Sequence, residues 1–203
     1  MKIIITLLST LFIFSIVQAQ SPTNQDEGIN PEWRQKGDFV FGVYAGLSTN
    51  TLSVDNNGQF FETEDIEGNG FIVGLQAEHY FGKNWSIKGR TNFERRDYSL
   101  DITDNTLATS LQAAWHFGKS KRWHLALGPT YNAILNGNFD SDFGTDFSIG
   151  IIIPISNAKF FIELDGISQF NAGFISVTDQ DGNPVGSARI DTNRSSINIG
   201  IQF

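Results

Sequence analysis

The chain has 203 residues, enough for one domain once an export segment is removed, and it contains no cysteine. Disulfides and a lipid-modified N-terminal cysteine are therefore excluded, and a formal net charge of -8 argues against nucleic acid as a partner. The 20 glycines and 18 phenylalanines are high counts, and a mean hydropathy of -0.17 does not exclude a membrane wall, because a β-wall shows lipid only alternate residues.

Lys2 followed by the apolar stretch 3–17 and the small-residue site Val17-Gln18-Ala19 has the form of a secretory signal peptide over residues 1–19. The stretch is too short and too near the terminus for a spanning helix. Residues 20–37 are polar, carry Pro22, Gly28 and Pro31, and are expected to form a flexible periplasmic leader. Residues 38–203 make up the remaining domain.

That domain alternates with a period of two. A first strand over 39–48 turns Phe39, Phe41, Val43, Ala45 and Leu47 to one side. A second, 71–81, turns Phe71, Val73, Leu75 and Ala77 the same way, against Gly74, Gln76 and Glu78. The third, 85–96, opposes Trp85, Ile87, Gly89, Thr91 and Phe93 to Ser86, Lys88, Arg90, Asn92, Glu94 and Arg96. The fourth (106–117) and fifth (123–134) set Leu111, Trp115, Leu125 and Tyr131 against Ser110, Gln112, His116, His124 and Asn132. The sixth, 147–156, carries Ile149, Ile151, Ile153 and Ile155 on one face. The seventh, 160–171, opposes Phe160, Ile162 and Leu164 to Glu163, Asp165, Gln169 and Asn171. The eighth ends with Ile197, Ile199, Ile201 and Phe203 on one face. A polar interior and an apolar exterior are the reverse of a soluble barrel. The fold class is all-β: an eight-stranded antiparallel up-and-down transmembrane β-barrel.

Connections 82–84, 118–122 and 157–158 are short, while 49–70, 97–105, 135–146 and 172–194 are long, which puts the short turns in the periplasm. Phe81, Trp85, Trp115, Phe117, Trp123, Phe160 and Phe203 gather at the short-turn side as an aromatic girdle. Phe71, Phe93, Tyr131, Phe147 and Phe170 supply the opposite one. Pro129 and Pro154 each remove a ladder donor, for which bulges are expected to compensate.

On these strands the chain resembles the small eight-stranded outer-membrane barrels of the OmpX and OmpA-barrel type, and the porin-family outer membrane β-barrel domain proteins of Bacteroidota. The resemblance rests on architecture, and its most specific local element is the segment 194–203. It implies a monomer in the outer membrane, with outer-membrane lipid around it. Ile199, Ile201 and Phe203 then form the signal read by the barrel-assembly machinery.

The inward charges Glu78, Lys88, Arg90, Glu94, Arg96, Glu163 and Asp165 are the candidate site, a salt-bridged network filling the lumen. The turn at 82–84 sets Glu78 opposite Lys88, which suggests an ion pair. His116 and His124 form an inward cross-strand pair without an evident third metal ligand, and are read as lumen fill. No metal, cofactor or catalytic residue is assigned. The long connections are acidic, with Asp55, Glu62, Glu64, Asp65 and Glu67 in the first, Asp140, Asp142 and Asp146 in the third, and Asp179 and Asp181 in the fourth. The basic residues Lys83, Lys119, Lys121, Arg122 and Lys159 lie on the short turns. The acidic loops are a candidate surface for an extracellular partner, and Asp179 and Asp181 form only a fragment of a calcium loop. The function expected is structural or adhesive and not enzymatic. A small-solute channel and a lipid-modifying enzyme are the alternatives; all three histidines lie near the short-turn side, away from outer-leaflet lipid.

If the terminal aromatic is an assembly signal, deleting Phe203 lowers the outer-membrane level of the protein while its export is unchanged. Cell fractionation measures this, and normal outer-membrane levels of the truncated chain would contradict it.

Overall fold

The computed structural model describes residues 36–55, 65–99, 103–118, 121–136, 141–155, 158–169, 173–178 and 184–203. The signal peptide, and the leader as far as residue 35, lie outside them. Nine strands follow one another: β1 (Phe39–Asp55), β2 (Asp65–Tyr80), β3 (Trp85–Tyr98), β4 (Thr103–Phe117), β5 (Trp123–Asn136), β6 (Asp142–Ile155), β7 (Ala158–Gln169), β8 (Gly173–Thr178) and β9 (Pro184–Gln202). Eight of these close a barrel. Each pairs antiparallel with its neighbour from β1 to β7, β9 follows β7, and β1 pairs with β9. The short β8 pairs with the first part of β9 and stands outside the ring.

Closure is sealed at the last residue. Phe203 N donates to Phe41 O at 2.7 Å, and Phe41 N donates to Phe203 O at 3.2 Å. In hydrocarbon an unpaired backbone group is costly, and this rung extends a seam that pairs β1 with β9 from Gly42↔Gln202 to Asp55↔Arg189. The ring is staggered. The pairings lead from Phe39 through His79, Ile87, Ala113, Leu127, Phe147, Gly166 and Ser195, and return to β1 at Thr49, ten residues further along. For eight strands that stagger corresponds to a tilt of roughly 40° and an interior only as wide as its side chains.

The alternation holds as expected. Outward Leu47, Leu111 and Leu164 are 65%, 58% and 56% exposed, whereas inward Glu94 and Asn198 are fully buried. The Ile149–Ile155 face points outward, with Ile153 and Ile155 exposed and Ile152 buried inside. At the short-turn side Trp115 stacks on Phe117 at 4.9 Å and lies 6.5 Å from Trp85. At the other, Tyr131 packs on Phe143 at 4.9 Å; Phe170 lies outside the described residues. The turn after β4 bends through positive φ at Gly118 (85°) and Lys121 (51°), closed by Lys121 N donating to Gly118 O at 3.0 Å.

Three expectations are corrected. The segments 49–55 and 65–70, expected in a long loop, continue β1 and β2, and residues 173–178 with 184–190 form a hairpin where another loop was expected. In water both faces of a strand are wetted, so the apolar period vanishes although the hydrogen-bond ladder continues. The lumen is also less uniformly polar than the inward pattern suggested, since Tyr44, Ile72, Ile152 and Phe161 form a buried apolar cluster inside it. Neither proline is accommodated by a bulge. Around Pro129 the β4–β5 pairing lapses between Ser110↔Thr130 and Ala113↔Leu127 and resumes in the same register, and the β4–β5 shift lies instead at Asn105/Thr106. Pro154 pairs with Lys159 next to the last rung of its hairpin, where one missing donor costs little of the ladder.

Close approach fixes two glycines in this wall. A Cβ on Gly200 would collide with the Phe161 ring and the Val43 carbonyl, and one on Gly74 with the Tyr44 ring. Gly89 faces outward with nothing nearer than a backbone oxygen at 4.0 Å. Gly200→Val is expected to destabilise the barrel by roughly 1–3 kcal/mol, the usual cost of overpacking, and Gly89→Val to be close to neutral. Urea unfolding in lipid vesicles measures both.

Candidate functional site

The strand alternation points every second residue of β3, β6, β7 and β9 into a lumen too narrow to leave charges apart. Arg90 is its hub. Its Nη1 lies 2.9 Å from Glu163 Oε1, 2.9 Å from Asp165 Oδ2 and 3.8 Å from Asp146 Oδ2. The guanidinium also lies over the Tyr44 ring, 4.8 Å from its centroid, a cation–π contact in a site shielded from water. Asn92 Nδ2 donates to the Tyr44 hydroxyl at 3.2 Å, holding that ring in place.

Two branches leave the hub. Toward the short turns, Glu163 Oε2 accepts from Lys88 Nζ at 2.7 Å and contacts His124 Nε2 at 2.6 Å. Lys88 Nζ also donates to Ser148 Oγ at 3.2 Å. Toward the long connections, Arg194 bridges Asp165 at 3.1 Å to Glu94 at 3.1 Å. Glu94 also holds Arg96 at 3.1 Å and accepts from Ser48 Oγ at 2.5 Å and Asn50 Nδ2 at 3.2 Å, and Arg96 reaches Asp104 at 4.0 Å. Near the short turns, Ser86 Oγ donates to Glu78 Oε1 at 2.5 Å, and His116 Nε2 lies 2.8 Å from the same oxygen.

All seven expected lumen charges are thus buried inside the barrel. Six of them, Lys88, Arg90, Glu94, Arg96, Glu163 and Asp165, belong to one connected network. Glu78 and Lys88 face each other in register as expected. The ion pair that Lys88 forms, however, is with Glu163 across the barrel, and Glu78 is engaged by His116 and Ser86. A lysine stem is long enough to cross so narrow a lumen, and register alone cannot identify a partner on a distant strand. His116 and His124 sit side by side with ring centroids 5.9 Å apart, each against its own carboxylate. The assembly residues Ile199, Ile201 and Phe203 face outward, apart from this network.

Sequence reasoning missed Arg194, Asp146, Asp104 and Tyr44 as members of the network. Parity would have found the first two: Arg194 is inward in phase with Asn198, and Asp146 stands next to outward Phe147. Asp146, placed among acidic loop residues, is a buried partner of Arg90.

Ser86, His116 and Glu78 are the residue types of a hydrolytic triad, but their connection differs. Both Ser86 Oγ and Glu78 Oε1 approach the same ring nitrogen, Nε2, at 2.9 and 2.8 Å. In a working triad the acid holds the opposite nitrogen so that Nε2 is left for the serine. The three side chains form a buried hydrogen-bonded cluster near the short turns.

An antiparallel barrel closed between its first and last strands, apolar outside and ionic within, is the architecture of an outer-membrane protein. A family model described as "Outer membrane protein beta-barrel domain" matches residues 18–193. The chain belongs to this outer-membrane β-barrel family. Among solved structures it is similar to the outer membrane protein OprG of Pseudomonas aeruginosa at 13% identity, over 83% of this chain and 97% of that one, with a TM-score of 0.51. It is also similar to Ail, the attachment invasion locus protein of Yersinia pestis (14% identity, 83% and 100% coverage, TM-score 0.42), and to Neisserial surface protein A (9%, 79% and 97%, TM-score 0.43). At these identities the likeness concerns the fold alone. None of the curated proteins matches the chain. The outer-membrane barrel is located in the outer membrane.

Removing one partner of a buried ionic network strands the others. Arg90→Met leaves three carboxylates short of a counter-charge and is expected to cost on the order of 3–5 kcal/mol. Lys88→Met is expected to cost less, because Glu163 keeps Arg90 and His124. Equal urea midpoints for the two variants would show that Arg90 is no hub.

Proposed function

We propose that this outer-membrane barrel is a non-enzymatic structural and adhesive element whose lumen is closed by its ionic core and whose working surface stands outside the cell. The observation that carries this reading is a sheet that continues past the barrel. Beyond the Tyr131–Phe143 girdle, β2, β1, β9 and β8 remain paired in that order, with β1 reaching Asp55 opposite Arg189 and β8 paired along residues 184–190. A barrel needed only to span the membrane has no use for this extension.

Among the described residues, β8 pairs on one side only, so its other edge presents backbone donors and acceptors. Such an edge pairs readily with an extended segment of a partner protein. With the short turns in the periplasm, this sheet faces the cell exterior, and Lys83, Lys121, Arg122 and Lys159 face the periplasm; Glu62, Glu64, Lys119, Asp140, Asp179 and Asp181 lie outside the described residues.

A second reading, a small-solute channel, is favoured by one observation. Among the described residues, the amide groups of Gln112 and Asn132 are buried in the lumen without a hydrogen-bond partner on either atom, and buried amides of this kind are usually met by water. The cross-lumen ion pairs of Lys88, Arg90 and Arg194 weigh against an open path.

Replacing residues 173–190 with a short Gly-Ser turn is expected to leave a folded, heat-modifiable barrel in the outer membrane while cells expressing it no longer attach to protein-coated surfaces. Attachment equal to that of cells with the intact chain would contradict the adhesive reading.

A further inference from the structure

The outer wall is not smooth. Across β2 to β5 a trough of about 590 Å³ runs obliquely over the lipid-facing surface, and its lining is almost wholly apolar. Small residues form its floor: Ala77 pairs with Gly89, and one pleat along Thr91 pairs with Thr109. One of the two threonine hydroxyls donates to the other at 3.4 Å. Large side chains bound it, with Phe41 at one end, Leu111 on the rim, and Tyr131 packed on Phe143 at the other end.

The trough coincides with the irregular stretch of the wall. The β4–β5 pairing lapses where Leu111 and Gln112 pass Gly128 and Pro129. Proline supplies no donor there, and Gly128 lies so close to the Leu111 carbonyl that no side chain fits. The floor itself is open, since a Cβ on Gly89 would meet nothing nearer than the Ala77 carbonyl at 4.0 Å.

The occupant follows from continuity with the lipid interface. The trough lies in the apolar band between the two aromatic girdles, where the surrounding medium is hydrocarbon. Its volume lies within the ~300–1,000 Å³ of pockets that hold small ligands. On a convex wall a lipid chain touches protein on one side only. Here small floor residues between large rims surround it on several sides and multiply its dispersion contacts. We propose that the trough is a specific seat for one acyl chain of an outer-leaflet lipid, with Tyr131 and Phe143 at the headgroup end. The seat itself does not depend on the adhesive role, but its assignment to the outer leaflet rests on the orientation proposed above.

Native mass spectrometry of the barrel, extracted from outer membranes in mild detergent and then delipidated, tests this. The wild-type protein is expected to retain one outer-leaflet glycolipid. Gly89→Leu fills the floor from outside the wall. Displacing about two methylenes of contact, each worth about 0.8 kcal/mol, predicts about tenfold weaker retention. Thr109→Val keeps the shape and is expected to retain lipid as the wild type does. Heat-modifiability confirms folding, and Thr91→Leu fills the same floor if Gly89→Leu does not fold. Equal retention by the filled variants, or a wild type that retains no lipid, would overturn the seat. Retention of a phospholipid in place of the glycolipid would overturn the leaflet, a result distinct from any change in cell attachment.

Discussion

A backbone in hydrocarbon has no water to pair with, and most of this structure follows from that constraint. An open sheet would leave one row of donors and acceptors on each edge, so the first and last strands must meet. They do so along a ladder that runs from Asp55 opposite Arg189 to Phe41 opposite Phe203, the last of which is also an aromatic of the short-turn girdle. The stagger of ten residues from Phe39 to Thr49 then fixes the tilt and, with eight strands, the width of the interior. The lumen is a narrow shaft into which half of every strand must project.

That narrowness explains the ionic core. Charged groups on opposite walls of a wide barrel would each be hydrated, but here Lys88 on β3 reaches Glu163 on β7, and Arg194 on β9 reaches Glu94 on β3. Burial raises the cost of any charge left alone and strengthens each well-placed contact. The network is therefore cooperative: Arg90 serves three carboxylates at once, and Glu163 serves Arg90, Lys88 and His124. An apolar layer of Tyr44, Ile72, Ile152 and Phe161 accompanies it, with Tyr44 belonging to both through its contact with Arg90.

How much of this was legible in the sequence depends on which solvent each face meets. Where lipid touches one face, alternation is enforced, so the strand phase and the inward direction of Glu78, Lys88, Arg90, Glu94, Arg96, Glu163 and Asp165 could be read directly. Beyond the girdle, water meets both faces, and residues 49–55 and 65–70 looked like loop although they are strand. Pairing between neighbours was legible from turn length, as Glu78 opposite Lys88 shows. Pairing across the shaft was not, because it depends on the stagger summed around eight strands. Asp146 was misplaced for a related reason: its strand begins at Asp142, beyond the point where the isoleucine pattern fades. The bulges expected at Pro129 and Pro154 did not form, since a lapse of two rungs and a position beside the hairpin end absorb the missing donors.

The central claim is that the cross-lumen contacts of Arg90, Lys88 and Arg194 close the shaft. Single-channel recording of the refolded full-length barrel in planar bilayers at neutral pH tests it most directly. The account predicts a quiet baseline, with no discrete conductance steps across a wide voltage range. Reproducible opening steps from the wild-type protein, abolished when the protein is omitted, would contradict it and show a continuous aqueous path past the ionic core.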